Sequence, residues 1–110
     1  MITPLEEFDW EEIFAELARN HLVSQDQAIR LTSSRATSTG KIYTLCCFHD
    51  ERTPSLVFWP NSGFKCHGCG ECGRSKLDFL ECLGISEKEI DLMVDSINSR
   101  SVNQNQLRLL

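Results

Sequence analysis

The sequence predicts a small α+β fold, in which a short antiparallel β-hairpin or sheet is flanked by short α-helices. Three observations support this fold class. Apolar residues recur at helical spacing in both outer parts of the chain, β-forming segments surround a central turn sequence, and four of the six cysteines lie in the stretch from Cys46 to Gly70 that contains that turn. A chain of 110 residues forms one domain with a thin core, and such domains often need a metal ion or disulfides for stability.

The N-terminal part predicts two helices. Asp9 can cap the first helix, which covers roughly residues 10–19. Its apolar face, at positions i, i+3, i+4 and i+7, consists of Trp10, Ile13, Phe14 and Leu17. Ser24, followed three residues later by Gln27, has the pattern of a weaker cap for a second helix. The polar segment 32–40 then predicts a loop.

The central part predicts a β-hairpin preceded by a further strand. The segments "KIYTLC" (41–46) and "SLVFW" (55–59) are rich in β-forming residues. The sequence "PNSG" (60–63) is a turn signal, so "FKC" (64–66) is predicted to be the returning strand. These segments account for the sheet of the predicted fold.

Two further helices are predicted after the hairpin. The first ends at Gly84, and its apolar residues are Leu77, Phe79, Leu80 and Leu83. Ser86 and Glu89 have the spacing of a capping box and open the second of these helices. Its apolar side consists of Ile90, Met93, Val94 and Ile97. The predicted helices therefore precede and follow the central strands in the sequence.

Two ligand pairs flank the predicted hairpin. Cys46 and His49 form the first pair, and Cys66 and Cys69 form the second, after a gap of sixteen residues. A two-residue gap lets both side chains of a pair reach one ion, and two such pairs supply the four corners of a tetrahedral zinc site. Because one pair precedes the hairpin and the other ends its returning strand, the arrangement predicts a zinc ribbon with one structural zinc ion.

The domain boundaries follow from these elements. We predict one domain over residues 1–98, with the zinc ribbon core at residues 41–80. Residues 99–110 are polar with an apolar end, and they predict a tail or the start of a linker. The chain shows no internal repeat, which is consistent with a single small domain.

The remaining cysteines leave alternatives to this ligand set. Cys47 adjoins a predicted ligand but has a poor spacing for chelation with His49, so we expect it to be a small, half-buried apolar residue. Cys72 extends the second pair into a C-x-x-C-x-x-C run, which is also a pattern of iron–sulfur proteins, although the usual fourth cysteine is absent. Cys82 is predicted to lie in the core, and His67 to face solvent.

The net charge of −5 is unevenly distributed. Residues 1–40 carry a net −4, residues 41–76 a net +2, and residues 77–110 a net −3. Basic character is therefore confined to the segment with the ligand pairs. Such a patch can contact one or two phosphates, but it cannot hold a nucleic-acid duplex by charge alone.

The expected compartment follows from hydropathy and cysteine chemistry. No apolar run approaches the ~18 residues of a membrane span, and the acidic N-terminus differs from a signal peptide. We therefore expect a cytoplasmic protein without a membrane partner. In that reducing environment clustered cysteines bind metal or react more often than they form disulfides.

The motif "CCFHDERTPS" followed by "FKCHGCG" resembles the CHC2 zinc-binding domain of bacterial DnaG-type primases. The matching residues are Cys46, Phe48, His49, Glu51, Thr53, Pro54, Ser55, Phe64, Cys66, Gly68, Cys69, Gly70, Phe79 and Leu80. The resemblance covers about residues 8–98. Cys47, Arg52 and His67 depart from the family pattern, where proline, lysine and an aromatic residue are usual.

The resemblance implies a role in DNA replication. It implies that the chain engages single-stranded template DNA and assists a separate primase catalytic domain, in cis or in trans, in starting an RNA primer. The implied protein partners are that catalytic domain or a replicative helicase. The metal-binding D-x-D pair of the catalytic domain is absent here, so we expect no enzymatic activity from this chain alone.

The nucleic-acid-binding prediction also follows from the residues themselves. The basic residues around the predicted ribbon are Arg52, Lys65, Arg74 and Lys76. They can meet phosphates, while a base can stack on Trp59. Alternation along "SLVFW" predicts that Phe58 is in the core and that Trp59 is the more exposed residue.

A second class of function fits the same sequence. The chain can be a stand-alone adaptor or inhibitor that uses the primase-type ribbon to bind a replication protein rather than DNA. The acidic flanks and the apolar end of the chain favour this alternative, whereas the basic central segment favours DNA.

Overall fold

The computed structural model describes residues 3–48 and 54–109, with side chains as far as Arg100. In that part of the chain, α-helices accompany a five-stranded antiparallel sheet, which confirms the predicted α+β fold class. The helices are α1 (Trp10–Arg19), α2 (Gln25–Thr32), α3 (Lys76–Cys82) and α4 (Glu87–Leu109), with a 3₁₀ turn at Leu5–Glu7 before α1. The strands are β1 (Arg35–Ala36), β2 (Ile42–Thr44), β3 (Leu56–Phe58), β4 (Phe64–Cys66) and β5 (Cys72–Gly73). No helix within these bounds combines the length and the apolar character needed to cross a membrane.

Reciprocal side-chain hydrogen bonds fix where two of the helices begin. The Ser24 hydroxyl accepts the Gln27 backbone N–H at 3.1 Å, and the Gln27 side chain accepts the Ser24 N–H at 3.0 Å. Ser86 and Glu89 form the same pair of bonds at the start of α4. Asp9 is the N-cap residue of α1, as predicted, but its side chain makes no capping hydrogen bond to the described residues.

The five strands lie in sequence order in the sheet, each antiparallel to its neighbours. Strands β2, β3 and β4 fall within the segments predicted to be strands. The prediction that residues 32–40 form only a loop was wrong, because β1 lies within them and pairs with β2. Strand β5 was not predicted either. Both are two-residue edge strands defined by backbone pairing with a neighbour, and such pairing leaves no hydrophobic pattern in the sequence.

Five aromatic side chains pack together between the sheet and the helices. The rings belong to Trp10, Phe14, Phe58, Phe64 and Phe79, and each is almost completely buried. Ring centroids lie 4.7 Å apart for Trp10 and Phe58 and 5.1 Å apart for Phe58 and Phe79, in tilted and edge-to-face arrangements that aromatic pairs prefer. The Trp10 indole N–H donates to the Trp59 carbonyl at 2.7 Å, which satisfies its polar atom. This aromatic cluster is the centre of the core, and it confirms that Phe58 is buried.

The strand register divides the inner face of the sheet into two rows of neighbours. The first row consists of Ile42, Phe58 and Phe64 and enters the aromatic cluster. The second row consists of Thr44, Leu56 and Cys66 and leads to the cysteines. The aromatic cluster and the cysteines are therefore adjacent parts of one continuous interior.

The C-terminal helix is joined to the N-terminal part of the chain by polar contacts. The Asn98 side chain accepts the Thr3 N–H at 2.9 Å and donates to the Thr3 carbonyl at 3.1 Å. The buried carboxylate of Glu16 in α1 is paired with Arg19, at 3.1 Å, and with Arg100 of α4. Helix α4 continues to Leu109, so the backbone is helical beyond the predicted boundary at residue 98. That boundary itself stays a prediction.

Candidate metal centre and nucleic-acid interface

Three cysteine sulfurs converge at one end of the sheet. Cys46 follows β2, Cys66 is the last residue of β4, and Cys69 lies three residues further on. Their Sγ atoms lie within 4.8 Å of one another, and those of Cys46 and Cys69 are 3.8 Å apart. A tetrahedral zinc ion with Zn–S bonds of about 2.3 Å requires sulfurs about 3.8 Å apart. The cluster therefore has the donor atoms and the spacing to bind one zinc ion.

Donor groups surround two of these sulfurs. The Phe48 N–H donates to Cys46 Sγ at 3.3 Å, and the N–H groups of Gly68 and Cys69 donate to Cys66 Sγ at 3.4 and 3.5 Å. Such bonds form where the chain turns back after a ligand, and they stabilise negative charge on sulfur. The second turn closes at Gly70, whose φ of 85° is a conformation that favours glycine.

The thiol pKa values differ because their surroundings differ. Burial raises the pKa of Cys66, but hydrogen bonds from the Ser55 hydroxyl and from the N–H groups of Cys69 and Gly68 outweigh it and lower that pKa to about 7. Burial is also the main reason why the pKa of Cys46 is raised. A sulfur binds zinc as a thiolate, so Cys66 loses its proton more easily than Cys46 when the metal binds. Metal binding therefore releases protons.

Cys47 does not take part in the cluster of sulfurs. Its side chain is buried in the core, and burial raises its pKa to about 12. It therefore remains a neutral thiol, in agreement with the predicted apolar role, although the side chain is buried rather than half-buried as predicted. His49, the fourth predicted ligand, lies outside the described residues, and its role stays a prediction.

The cysteines further along the chain lie outside the cluster. Cys72 is exposed in β5 and is not among the three grouped sulfurs, so the run of three cysteines does not converge as an iron–sulfur site requires. Cys82 is exposed at the end of α3, and the prediction that it lies in the core was wrong. Helix α3 turns Phe79 and Leu80 inward, which leaves Cys82 facing solvent. His67 is exposed, as predicted.

Two side chains of helix α2 form hydrogen bonds to the backbone at Cys46 and Cys47, where the first ligand turn begins. The Arg30 guanidinium donates to the Cys46 carbonyl at 2.9 Å, and the Gln27 side chain donates to the Cys47 carbonyl at 3.2 Å. Sequence reasoning missed both roles. Their three-residue spacing puts them on one face of a helix, but no local pattern indicates which loop that face meets.

The outer face of the sheet carries a row of cross-strand neighbours, here called the outer row. It consists of Arg35, Tyr43, Val57, Lys65 and Cys72. Arg35 and Lys65 are exposed and Tyr43 is half-buried, whereas Val57 is only 2% exposed although it lies on the outer side. Its neighbours in the row, Tyr43 and Lys65, have long side chains that can cover it. The outer row thus offers two cations and an aromatic ring on one surface.

The predicted nucleic-acid-binding residues lie in different parts of the fold and differ in exposure. Lys65 is exposed in the outer row, and Trp59 is half-buried just beyond the end of β3. Arg74 is exposed after β5, where its N–H donates to Asp78 at 2.8 Å. Arg52 lies outside the described residues.

Lys76 is buried, contrary to what a role in binding nucleic acid requires. Its side chain is 3% exposed, and its ammonium donates to the Glu6 carbonyl at 2.7 Å and lies over the Trp10 ring. The Glu6 carboxylate in turn accepts the N–H groups of Lys76 and Leu77 at 2.8 and 3.0 Å. These contacts join the start of α3 to the 3₁₀ turn, so the structure argues against the prediction that Lys76 contacts phosphate.

Sequence reasoning missed two members of the outer row, Arg35 and Tyr43. Alternation in "KIYT" puts Lys41 and Tyr43 on one face, which was a usable signal. Arg35 could not be found in this way, because its position depends on the pairing of β1 with β2.

An antiparallel sheet with two ligand turns that bring three thiols together defines a zinc ribbon. The family model of the CHC2 zinc finger, the zinc ribbon of DnaG, matches residues 26–106. The chain belongs to this family, which confirms the resemblance found in the sequence. In DnaG-type primases, a zinc ribbon of this family is the zinc-binding part.

The curated relatives of the chain are named DNA primases. The chain is similar to the DNA primase of Chlamydia muridarum, at 32% identity over 84 residues, which cover 66% of this chain and 14% of that primase. It is similar to the DNA primase of Mycolicibacterium smegmatis at 50% identity over 78 residues, covering 63% of this chain and 12% of the relative. The chain therefore spans a small fraction of the length of the primases it matches.

Proposed function

We propose that the chain is the DNA-binding module of a primase, and that it holds single-stranded template DNA on the outer face of its sheet. The observation that carries this proposal is the outer row. Arg35 pairs with Tyr43, and Lys65 lies in the same row beyond Val57, so the exposed Arg35 and Lys65 and the half-buried Tyr43 lie on one face of the sheet. Arg52, Arg74 and Trp59 are proposed to extend the surface.

The chemistry of this surface fits a single strand better than a duplex. A base can stack on an aromatic ring for about 1–3 kcal/mol, and the neighbouring cations can meet phosphates. Stacking requires a base with a free face, which a duplex does not offer. With few cations, the phosphate contribution is modest, and binding to a single strand weakens with salt with a slope of about −0.7 per phosphate contact.

The modest affinity that we expect from so few cations fits an accessory to a catalytic partner. We propose that the module assists primer synthesis by a separate primase catalytic domain, in cis or in trans, or works beside a replicative helicase, and that it has no polymerase activity alone. The small share of the curated primases that this chain covers supports the proposal, since most of each relative lies outside the matched region. In this role the chain would act in the cytoplasm with the replication machinery.

A fluorescence titration tests the DNA-binding proposal. Zinc-loaded protein is titrated with labelled mixed-sequence single strands of about 16 nucleotides at about 50 mM and about 200 mM salt. We expect binding that weakens with salt, and a decrease in the fluorescence of half-buried Trp59. Arg35→Ala and Lys65→Ala should each weaken binding at low salt and reduce the salt slope.

The matched control for these variants is Lys88→Ala. Lys88 is exposed on α4 and does not belong to the outer row, and its removal changes the net charge by the same amount. If Lys88→Ala and Lys65→Ala reduce the affinity for single-stranded DNA equally, binding depends on net charge. The proposal that the outer row is the binding site would then be wrong. If no salt-dependent binding occurs, the adaptor that binds a replication protein becomes the better hypothesis.

A further inference from the structure

The helical side of the molecule contains an open groove between the 3₁₀ turn, α3 and α4. Its volume is about 800 Å³. Its apolar floor is formed by Leu5, Leu77, Ile85, Ile90 and Val94. Its rim is formed by Glu81, Glu87, Asp91 and Asp95. This acidic groove is separate from the outer row, because it is built by helices whereas the outer row lies on the sheet.

The rim is uniformly acidic. All four of its carboxylates belong to exposed residues, and none of them forms an ion pair with another described residue. No basic residue lines the groove in the described part of the chain. Four like charges around an apolar floor repel phosphate and attract cations. Nucleic acid is therefore an unsuitable occupant, and a basic one is complementary.

The floor requires an occupant with apolar anchors as well as positive charge. Leu77 is 42% exposed and lines the groove with the half-buried Leu5 and Val94, so part of each of these apolar side chains faces the groove. The α4 residues Glu87, Ile90, Asp91, Val94 and Asp95 follow helical spacing over about two turns, or about 12 Å. A partner helix with apolar residues at i, i+3 or i+4, and i+7 matches a groove of this length.

A second copy of this chain does not provide those anchors from its basic surface. Arg35 and Lys65 could approach the acidic rim, but the apolar member of their row, Val57, is buried. The large exposed apolar residues of the described part are Ile29, Leu77 and Leu92, and none of them lies in a strand. A partner from another protein is favoured for this reason.

We propose that the acidic groove binds a basic, amphipathic helical segment of another protein. The apolar side of that segment fills the floor beside Leu77, and its lysine or arginine side chains pair with Asp91 and Asp95. The sheet and the groove then have different partners, and each surface can be occupied while the other is engaged.

A designed peptide tests the groove directly. The probe is a synthetic helix of about three turns with leucines at i, i+3 and i+7 and lysines on both flanks. It is titrated into isotopically labelled, zinc-loaded protein while amide and methyl NMR signals are recorded. We expect saturable shifts at Leu77, Ile85 and Val94, and at least roughly tenfold weaker binding of two control peptides. One control has the same composition in scrambled order, and the other has glutamate in place of lysine.

Protein variants separate groove binding from general charge attraction. The double substitution Asp91→Lys with Asp95→Lys should weaken peptide binding at least roughly tenfold. The double substitution Glu11→Lys with Glu12→Lys, on the exposed side of α1, should not weaken it. Leu77→Ala should weaken binding, while Leu92→Ala, which removes a 59% exposed leucine outside the groove, should leave it unchanged. Leu77→Ala, which does not change the net charge, should leave DNA binding at the outer row unchanged, so the two proposals can fail independently.

Three results would overturn the proposal. Peptide shifts spread over the surface, with no preference for the groove, would mean that only general charge attraction acts. Groove signals that shift with protein concentration in the absence of peptide would identify a second copy as the occupant. Groove signals that respond to single-stranded DNA and not to the peptide would assign the groove to nucleic acid.

Discussion

Phe64 and Cys66 lie on the same face of β4, two residues apart, yet they belong to regions held together by different forces. Phe64 packs among aromatic rings, with its centroid 5.1 Å from that of Phe79. Cys66 lies in a group of three sulfurs that bind zinc as thiolates, and the bound cation offsets the repulsion between their charges. The aromatic region is stabilised by many small contacts, whereas the cysteine region depends on one ion.

This difference predicts how each region responds when a side chain or the ion is removed. Removing one ring leaves the other rings in contact, so the loss is partial. Removing the ion leaves the ligand turns without the interaction that defines their geometry, so the loss is nearly complete. The following predictions test that contrast, beginning with the largest expected effect.

Zinc removal should have the largest effect. Metal binding in small domains of this kind contributes folding free energy on the order of 10 kcal/mol. A strong chelator, or Cys69→Ser, should therefore abolish amide protection around Cys46 and Cys66 and lower the melting temperature sharply. Circular dichroism, hydrogen exchange and elemental analysis measure these changes. The control is Cys82→Ser, which alters an exposed cysteine outside the cluster and should change little. Unchanged melting in protein shown to be free of zinc would contradict the prediction.

Phe79→Ala should have the next largest effect. The ring is fully buried and contacts Trp10, Phe14, Phe58 and Phe64. Truncation of such a residue lowers the free energy of unfolding by about 3–5 kcal/mol. Zinc stoichiometry should stay at one, since the sulfurs are not touched.

Leu77→Ala is the matched control for Phe79→Ala. It removes a partly exposed side chain from the same helix, so denaturant unfolding should detect a much smaller loss. If Phe79→Ala released zinc as completely as Cys69→Ser, the two regions would be a single cooperative unit and the contrast between them would fail.

Glu16→Gln should lower stability by about 2 kcal/mol at neutral pH, because a buried carboxylate loses its charge-assisted hydrogen bonds. Burial raises the pKa of Glu16, but hydrogen bonds from Arg100, Ser96 and Asn20 outweigh it and hold the pKa below its ordinary value of 4.5. A lowered folded-state pKa gives stability that is present above pH 4.5 and is lost as the pH falls through the folded-state value.

The difference in stability between Glu16→Gln and the unaltered protein should therefore shrink below pH 4.5. Denaturant unfolding at several pH values measures it. Protons also compete with zinc for the cysteines in this range, but they do so equally in both proteins. A difference in the free energy of unfolding that does not change with pH would contradict the inference that the Glu16 side chain is ionised in the folded protein.

Thr44→Val should give the smallest effect, and a favourable one. Thr44 lies in the row that ends at Cys66, and its buried hydroxyl has no hydrogen-bond partner among the described residues. Valine has nearly the same shape without the unsatisfied polar atom, so we expect a gain of about 1 kcal/mol in the free energy of unfolding. Thr44→Ser keeps the hydroxyl and should not be stabilising. Destabilisation by valine would mean that the hydroxyl has a partner in solution.

Local patterns predicted much of the fold. The apolar spacing from Trp10 to Leu17 gave α1 its bounds, and the pairs Ser24 with Gln27 and Ser86 with Glu89 form the capping boxes they indicated. The two-residue gap between Cys66 and Cys69 predicted one ligand turn, and the predicted hairpin between the two ligand pairs accounts for the approach of Cys46.

The sequence by itself determined the three cysteines of the sulfur cluster, the segments that form helices and central strands, and the family that the chain resembles. These features depend on residue spacing and on patterns within single segments. Only the tertiary structure decided that Lys76 is buried against Trp10, that Cys82 is exposed, that Arg35 joins Tyr43 and Lys65, and that four carboxylates surround one groove. Each of these depends on which elements pack together and in what register. That choice is made by the total free energy of burial over the whole chain, and no local pattern contains it.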